Sequence, residues 1–271
     1  MLNLLLTRHG FTTAGEIVLG GVLDVPLAQQ GRDEAAALRD RLAGFRIDRV
    51  ISSPMIRAVD TARIVAPGRP FETEERLREM HYGRWEGLTF AEIPARDPEL
   101  RARWESDPAE THTPGGESGD EVASRVLSFL MDLLESEGIS GSLATADDGA
   151  AASGTGKAAA GPTPRPVGQA RFSGAAGMPP RSGPDSGTGP DTGPLSPSDR
   201  NVLVVAHGTT NRILLSLGLG APMRDFRRRW VQDRGNLTVL RYDRGDLADG
   251  AQLALLNDTS HLRGLGEARW D

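Results

Sequence analysis

The chain has no cysteine, which excludes disulfides, a thiolate metal site and a cysteine nucleophile together. Aromatic residues make up only 5% and hydrophobic residues 38% of its 271 positions, so some segment is expected to lie outside the packed core. No stretch approaches the roughly 20 apolar residues of a membrane span. The opening run from Leu2 is too short for a signal peptide and lacks a basic flank. Lysine is nearly missing too: Lys157 is the single exception among 31 basic residues. The formal net charge of −6 argues against a general affinity for nucleic acid, whose binders carry a basic surface. Any anion site is therefore local. These absences point to a cytoplasmic protein with neither a membrane nor a nucleic-acid partner.

What is present divides into an ordered pattern and one contrasting segment. Helices are expected from Gly31 to Leu42, from Ser53-Pro54 to about Ala66, from Gly119 to about Glu137 and from about Thr210 to Leu217. The serine and proline would cap the second of these. Apolar strands are expected at Leu2 to Thr7, Arg49 to Ser52 and Asn201 to Ala206, and a hairpin at Leu237 to Tyr242 and Leu253 to Leu256. Between Ile139 and Arg200 the composition turns to Gly, Ala, Ser, Pro and Thr. Such a segment buries too little apolar surface to offset the entropy of ordering it. The expected architecture is thus α/β: a single domain over 1–271, a three-layer α/β/α sandwich with a mostly parallel sheet, interrupted by a disordered insertion at 139–200.

Three expected strands end on chemistry. Arg8-His9-Gly10 follows the first, Ser52 to Arg57 the second, and His207-Gly208 the third. In an open α/β sheet the carboxyl ends of parallel strands share one edge, where ligands bind. The helices that begin there would add backbone amides suited to an anion. Arginines and imidazoles gathered at such an edge suit a phosphate.

The order of these motifs is that of a known family. Thr7-Arg8-His9-Gly10, Ser52-Ser53-Pro54 with Arg57, Glu79 leading into Gly83-Arg84-Trp85-Glu86-Gly87, Pro114-Gly115-Gly116-Glu117-Ser118, and Ala206-His207-Gly208 resemble the histidine phosphatase superfamily, the phosphoglycerate mutase-like proteins. The resemblance implies that His9 is the phosphoryl-accepting nucleophile. It also implies that Arg8, Arg57, His207 and Gly208 hold the phosphate and that Glu79 protonates the leaving alcohol. Thr12, Gly21 and Tyr82 are further substrate-contact candidates. No metal or other cofactor is required, since phosphoryl transfer is catalysed mainly by positioning and by cations. A neutral imidazole is a capable nucleophile near pH 7. The acid works best if it holds its proton at working pH, for which Met80, Tyr82 and Trp85 are favourable neighbours.

Departures from the mutases favour hydrolysis. Phe11 and Ala14 replace residues that follow the mutase Arg-His-Gly, while Met80 and Phe90 stand where mutases carry an arginine and a lysine. The expectation is a phosphomonoesterase for a small phosphorylated metabolite, acting through phosphohistidine. The loop from Ala14 to Gly21 followed by Asp24 to Leu27 is similar to α-ribazole phosphatases. The alternatives are mutase-type transfer, with Arg96, Arg101 or Arg103 supplying the missing cations, and a non-catalytic phosphate-binding or signalling protein. A homodimer is left open. The insertion should emerge on the sheet edge opposite the pocket.

Overall fold

The computed structural model describes residues 1–15, 21–140, 199–243 and 250–265. Its strands are β1 (Leu2–Arg8), β2 (Arg49–Ser52), β3 (Glu72–Thr73), β4 (Arg200–Ala206), β5 (Leu237–Tyr242) and β6 (Gln252–Asp258). They form one sheet in the order β3-β2-β4-β1-β5-β6. The first four are mutually parallel; β5 runs antiparallel to β1, and β6 antiparallel to β5. The hairpin at Leu237 is as expected, although most of its turn lies outside the described residues.

Continuous apolar sequence in β1 and β4 reflects burial on both faces. Leu4, Leu6, Val202 and Val204 pack with α5 (Gly119–Ser136) and α6 (Gly208–Gly218). Leu5, Leu203 and Val205, on the opposite face, pack with α1 (Gln29–Arg41) and α2 (Ile56–Val65). This is the expected three-layer sandwich. The remaining helices, α3 (Glu92–Arg96), α4 (Pro98–Ser106) and α7 (Phe226–Arg229), are short and lie in the connections.

Local chemistry accounts for the main boundaries. A capping box opens α5: Ser118 Oγ accepts from Glu121 N, and the Glu121 carboxylate accepts from Ser118 N. The start of α2 differs from expectation. Met55 occupies the N-cap and the helix opens at Ile56, while the Ser53 hydroxyl accepts from Met55 N at 3.4 Å and lies 2.8 Å from His207 Nε2.

Most of the expected insertion, 141–198, lies outside the described residues. Its flanks are fixed. Ile139 is buried, and Asp199 accepts from the Met1 amino group and from Asn3 Nδ2.

Candidate active site

Strand register brings the three motifs together. Leu2 pairs with Arg200 and, six residues on, Arg8 with Ala206, so the chain leaves both strands at the same level. His9 N then donates to Ala206 O at 3.0 Å, and the His9 and His207 rings lie 5.2 Å apart. On the other side of β4, Ser52 pairs with Val205, and Ser53 N donates to Val205 O at 2.9 Å. Four residues on from there, Arg57 enters in the first turn of α2.

His9 is buried, and its two nitrogens have different partners. Nδ1 lies 2.8 Å from Gly10 O. A carbonyl only accepts, so Nδ1 carries the hydrogen and Nε2 keeps its lone pair. That lone pair accepts from Arg57 Nε at 3.3 Å. Burial holds the His9 pKa well below the ordinary imidazole range, and the Arg57 and Arg8 charges push it the same way. Burial also lowers the His207 pKa, with Arg57 and His9 adding to it. Both rings are neutral at pH 7.

Arg8 Nη1 donates to Gln232 O at 3.0 Å, while Nε has no hydrogen-bond partner although buried. Burial, with Arg234 and Arg212 nearby, lowers its pKa to about 9. His207 Nδ1 is likewise buried and without a partner. An unmet buried polar atom costs about 1–3 kcal/mol, and two of them at one strand edge describe a place that an anion completes. Gly208 makes room for this: a Cβ there would meet Arg8 Nε at 3.3 Å. Gly10 serves close approach of a different kind, since a Cβ would run into the Gly31 backbone at the start of α1.

Glu79 arrives from the loop between β3 and α3. Its carboxylate accepts from Met80 N at 2.9 Å and from Thr209 N at 3.2 Å. The α6 amide expected to face a ligand is therefore engaged by Glu79, and Ile56 N of α2 by Asp24 Oδ1 at 2.7 Å. Tyr82 joins through its hydroxyl, 2.6 Å from Thr209 Oγ1. Gly21 joins through its carbonyl, which accepts from Arg57 Nη2 at 2.9 Å, as Leu23 O does from Nη1 at 2.7 Å. Thr12 is buried, but its backbone bridges Leu27, and among the described residues no hydrogen bond ties its side chain to the others. His81 sits 3.7 Å from Glu86 Oε1.

The profile of the histidine phosphatase superfamily (branch 1) matches residues 4–154 and 195–259. This chain belongs to that superfamily. Among curated relatives it is 38% identical over 136 residues to a glucosyl-3-phosphoglycerate phosphatase of Mycolicibacterium vanbaalenii, covering 49% of this chain and 60% of that protein. It is 32% identical over 136 residues to phosphoserine phosphatase 1 of Hydrogenobacter thermophilus, covering 49% of this chain and 64% of that one. The match thus spans less than two thirds of either relative. In three dimensions it superposes on a mycobacterial glucosyl-3-phosphoglycerate phosphatase with a TM-score of 0.65 at 26% identity, over 94% of this chain and 98% of the other.

Several residues that support the candidate site were not expected in that role from the sequence. Ser53, expected as a helix cap within the Ser52-Ser53-Pro54 motif, places its hydroxyl beside His207. Thr61 Oγ1 accepts from Gly10 N at 3.2 Å, and Asn236 Oδ1 from Arg8 N at 3.0 Å. Arg125 of α5 donates to the carbonyls of Arg76, Arg78 and Glu79. Each lies on a different element from the group it supports, so only the three-dimensional arrangement relates them.

Proposed function

We propose that the chain is a phosphomonoesterase that passes the phosphoryl group of a small metabolite through His9. The observation that carries this reading is the fixed tautomer of His9, whose unprotonated Nε2 is held in a buried site between Arg57 and the His207 ring. The names of the relatives, which are phosphatases, support the same reaction class.

In the first half-reaction the Nε2 lone pair bonds to phosphorus as the ester P–O bond breaks, and the departing alkoxide oxygen takes a proton from Glu79. In the second, water adds to phosphorus, the P–N bond breaks, and Glu79 takes back a proton from that water. Inorganic phosphate leaves. Arg8 and Arg57 neutralise the charge spread over the equatorial oxygens, with His207 Nδ1 as a further hydrogen-bond donor. For Arg57 this requires an exchange of partners, because its Nη1 and Nη2 are bound to the 21–23 backbone and its Nε to the His9 lone pair that attacks phosphorus. The steps need no metal, and a cysteine-free sequence fits the reducing cytoplasm.

Hydrolysis of a panel of phosphate esters in EDTA, by the wild type and by His9→Ala, tests this. Turnover in EDTA with loss of at least about a thousandfold in His9→Ala is the expected outcome. Turnover that needs added metal, or an active His9→Ala protein, overturns the mechanism. Stoichiometric phosphorylation with little release of phosphate identifies a transferase instead.

A further inference from the structure

A group of aromatic rings and arginines adjoins the site and is left out of the phosphoryl chemistry. Trp104 of α4 is buried, edge-on to Tyr82 at 6.2 Å and to Trp85 at 5.7 Å. The Arg227 guanidinium of α7 lies 4.0 Å from the Trp104 ring centre and 5.7 Å from that of Phe90. Arg101 approaches the same two rings at 5.3 and 5.2 Å. Tyr82 in turn reaches Thr209, whose amide holds Glu79. The group is therefore one ring removed from the proposed proton donor.

The two arginines differ in their partners. Arg101 is neutralised by Glu105. Arg227 has neither an ion pair nor a hydrogen bond among the described residues. Its neighbours are the cations Arg212 and Arg101, and Glu105, the carboxylate that pulls the other way, is already held by Arg101. Burial, together with Arg212 and Arg101, lowers the Arg227 pKa to about 10. Stability alone does not account for such a residue, since Arg101 already provides a cation for both rings. Stacking uses the face of a guanidinium and leaves its in-plane N–H groups free. Those groups match a carboxylate in paired fashion.

We propose that Arg227, laid across Trp104 beside Tyr82, is the core of a second anion subsite, and that the substrate is a phosphate monoester whose alcohol portion bears a carboxylate. The inference rests on the phosphatase reading above. On this reading the cation that mutases carry at the positions of Met80 and Phe90 is supplied here by α7, from another part of the chain, while Met80 itself is buried in the core.

The test compares two esters on one skeleton, 3-phosphoglycerate and glycerol 3-phosphate, with p-nitrophenyl phosphate as a check on hydrolysis itself. With the full-length wild type, kcat/KM is expected to favour 3-phosphoglycerate by about tenfold or more, the scale of one charge-assisted hydrogen-bond pair. In Arg227→Met that ratio should fall toward one, chiefly through a raised KM for the carboxylate ester. Arg227→Lys, which cannot bond in paired fashion, should keep part of it and covers the case in which the methionine variant fails to fold. A wild-type ratio near one, or an unchanged ratio in a folded variant, overturns the subsite. Failure to hydrolyse all three esters overturns the phosphatase reading itself.

Discussion

At the scale of single residues, the two buried imidazoles are the groups whose chemistry the fold alters most. Each has its pKa lowered by burial and by the neighbouring arginines. The folded protein therefore leaves both unprotonated at pH values where the unfolded chain, near 6.5, takes up protons. The unfolded state binds more protons, so stability is full above about pH 6.5 and declines as pH falls below it. The protein should therefore be less stable at pH 5.5 than at pH 7.5, with both imidazoles contributing to the difference. Urea midpoints of the wild type and of His9→Gln at these two pH values measure this; the variant should lose about half of the part due to the pair. An equal drop in both proteins contradicts the assignment. The residue types at the site were legible in the sequence because Arg8-His9, Arg57 and His207 all follow strand-like runs. Their protonation was not, since it depends on burial and on charges brought in from β1, α2 and one another.

At the scale of elements, the sequence was readable wherever one face or one strand was continuously apolar, as in β1, β4 and α5. It was silent on β3, two exposed residues long, and on α7, a four-residue helix with no room for a period. The loop from Arg76 to Gly87 has neither a helical nor a strand period in its sequence. It is held partly by short turns of its own, as where Glu86 N donates to Gly83 O at 3.1 Å, and partly by α5. Arg125 donates to Arg76 O at 2.7 Å, to Arg78 O at 2.9 Å and to Glu79 O at 3.3 Å, and pairs with Glu117 at 3.0 Å. Arg125→Met removes these donors while keeping the stem against the helix. Arg78 O keeps the Thr210 hydroxyl at 2.9 Å, which leaves the Arg76 and Glu79 carbonyls without the donor; at about 1 kcal/mol each, a loss of roughly 2 kcal/mol in unfolding free energy is expected. Misplacement of Glu79 should lower kcat about tenfold or more. A variant that loses stability but retains wild-type kcat would show that the loop keeps its position without α5.

At the scale of the whole molecule, the sheet separates two functions of its edges. The site lies where β1 and β4 end, at Arg8 and Ala206, whereas the segment from 141 to 198 departs and returns at the other end of β4. Its described flanks are there: Arg200 N donates to Met1 O, and Arg200 Nε to Glu137 just past α5. The strand from Arg200 to Ala206 is seven residues long, and its six steps span about 20 Å at 3.3 Å per residue. Both flanks are secured by contacts of their own, Ile139 in the core and Asp199 on Met1 and Asn3. The strand that delivers His207 therefore does not depend on the segment for its register, which β1 and β2 set on either side. We propose on this ground that 139–200 interrupts one domain without contributing to its site. Deletion of residues 142–198 should leave kcat/KM for p-nitrophenyl phosphate within about threefold of the full chain, since Arg8, His9, Arg57, Glu79 and His207, the residues proposed to act on phosphate, are all retained. The deletion protein's circular dichroism and melting curve establish that it is folded. Loss of turnover in a folded deletion protein would place the segment at the site edge and overturn the separation of the two edges.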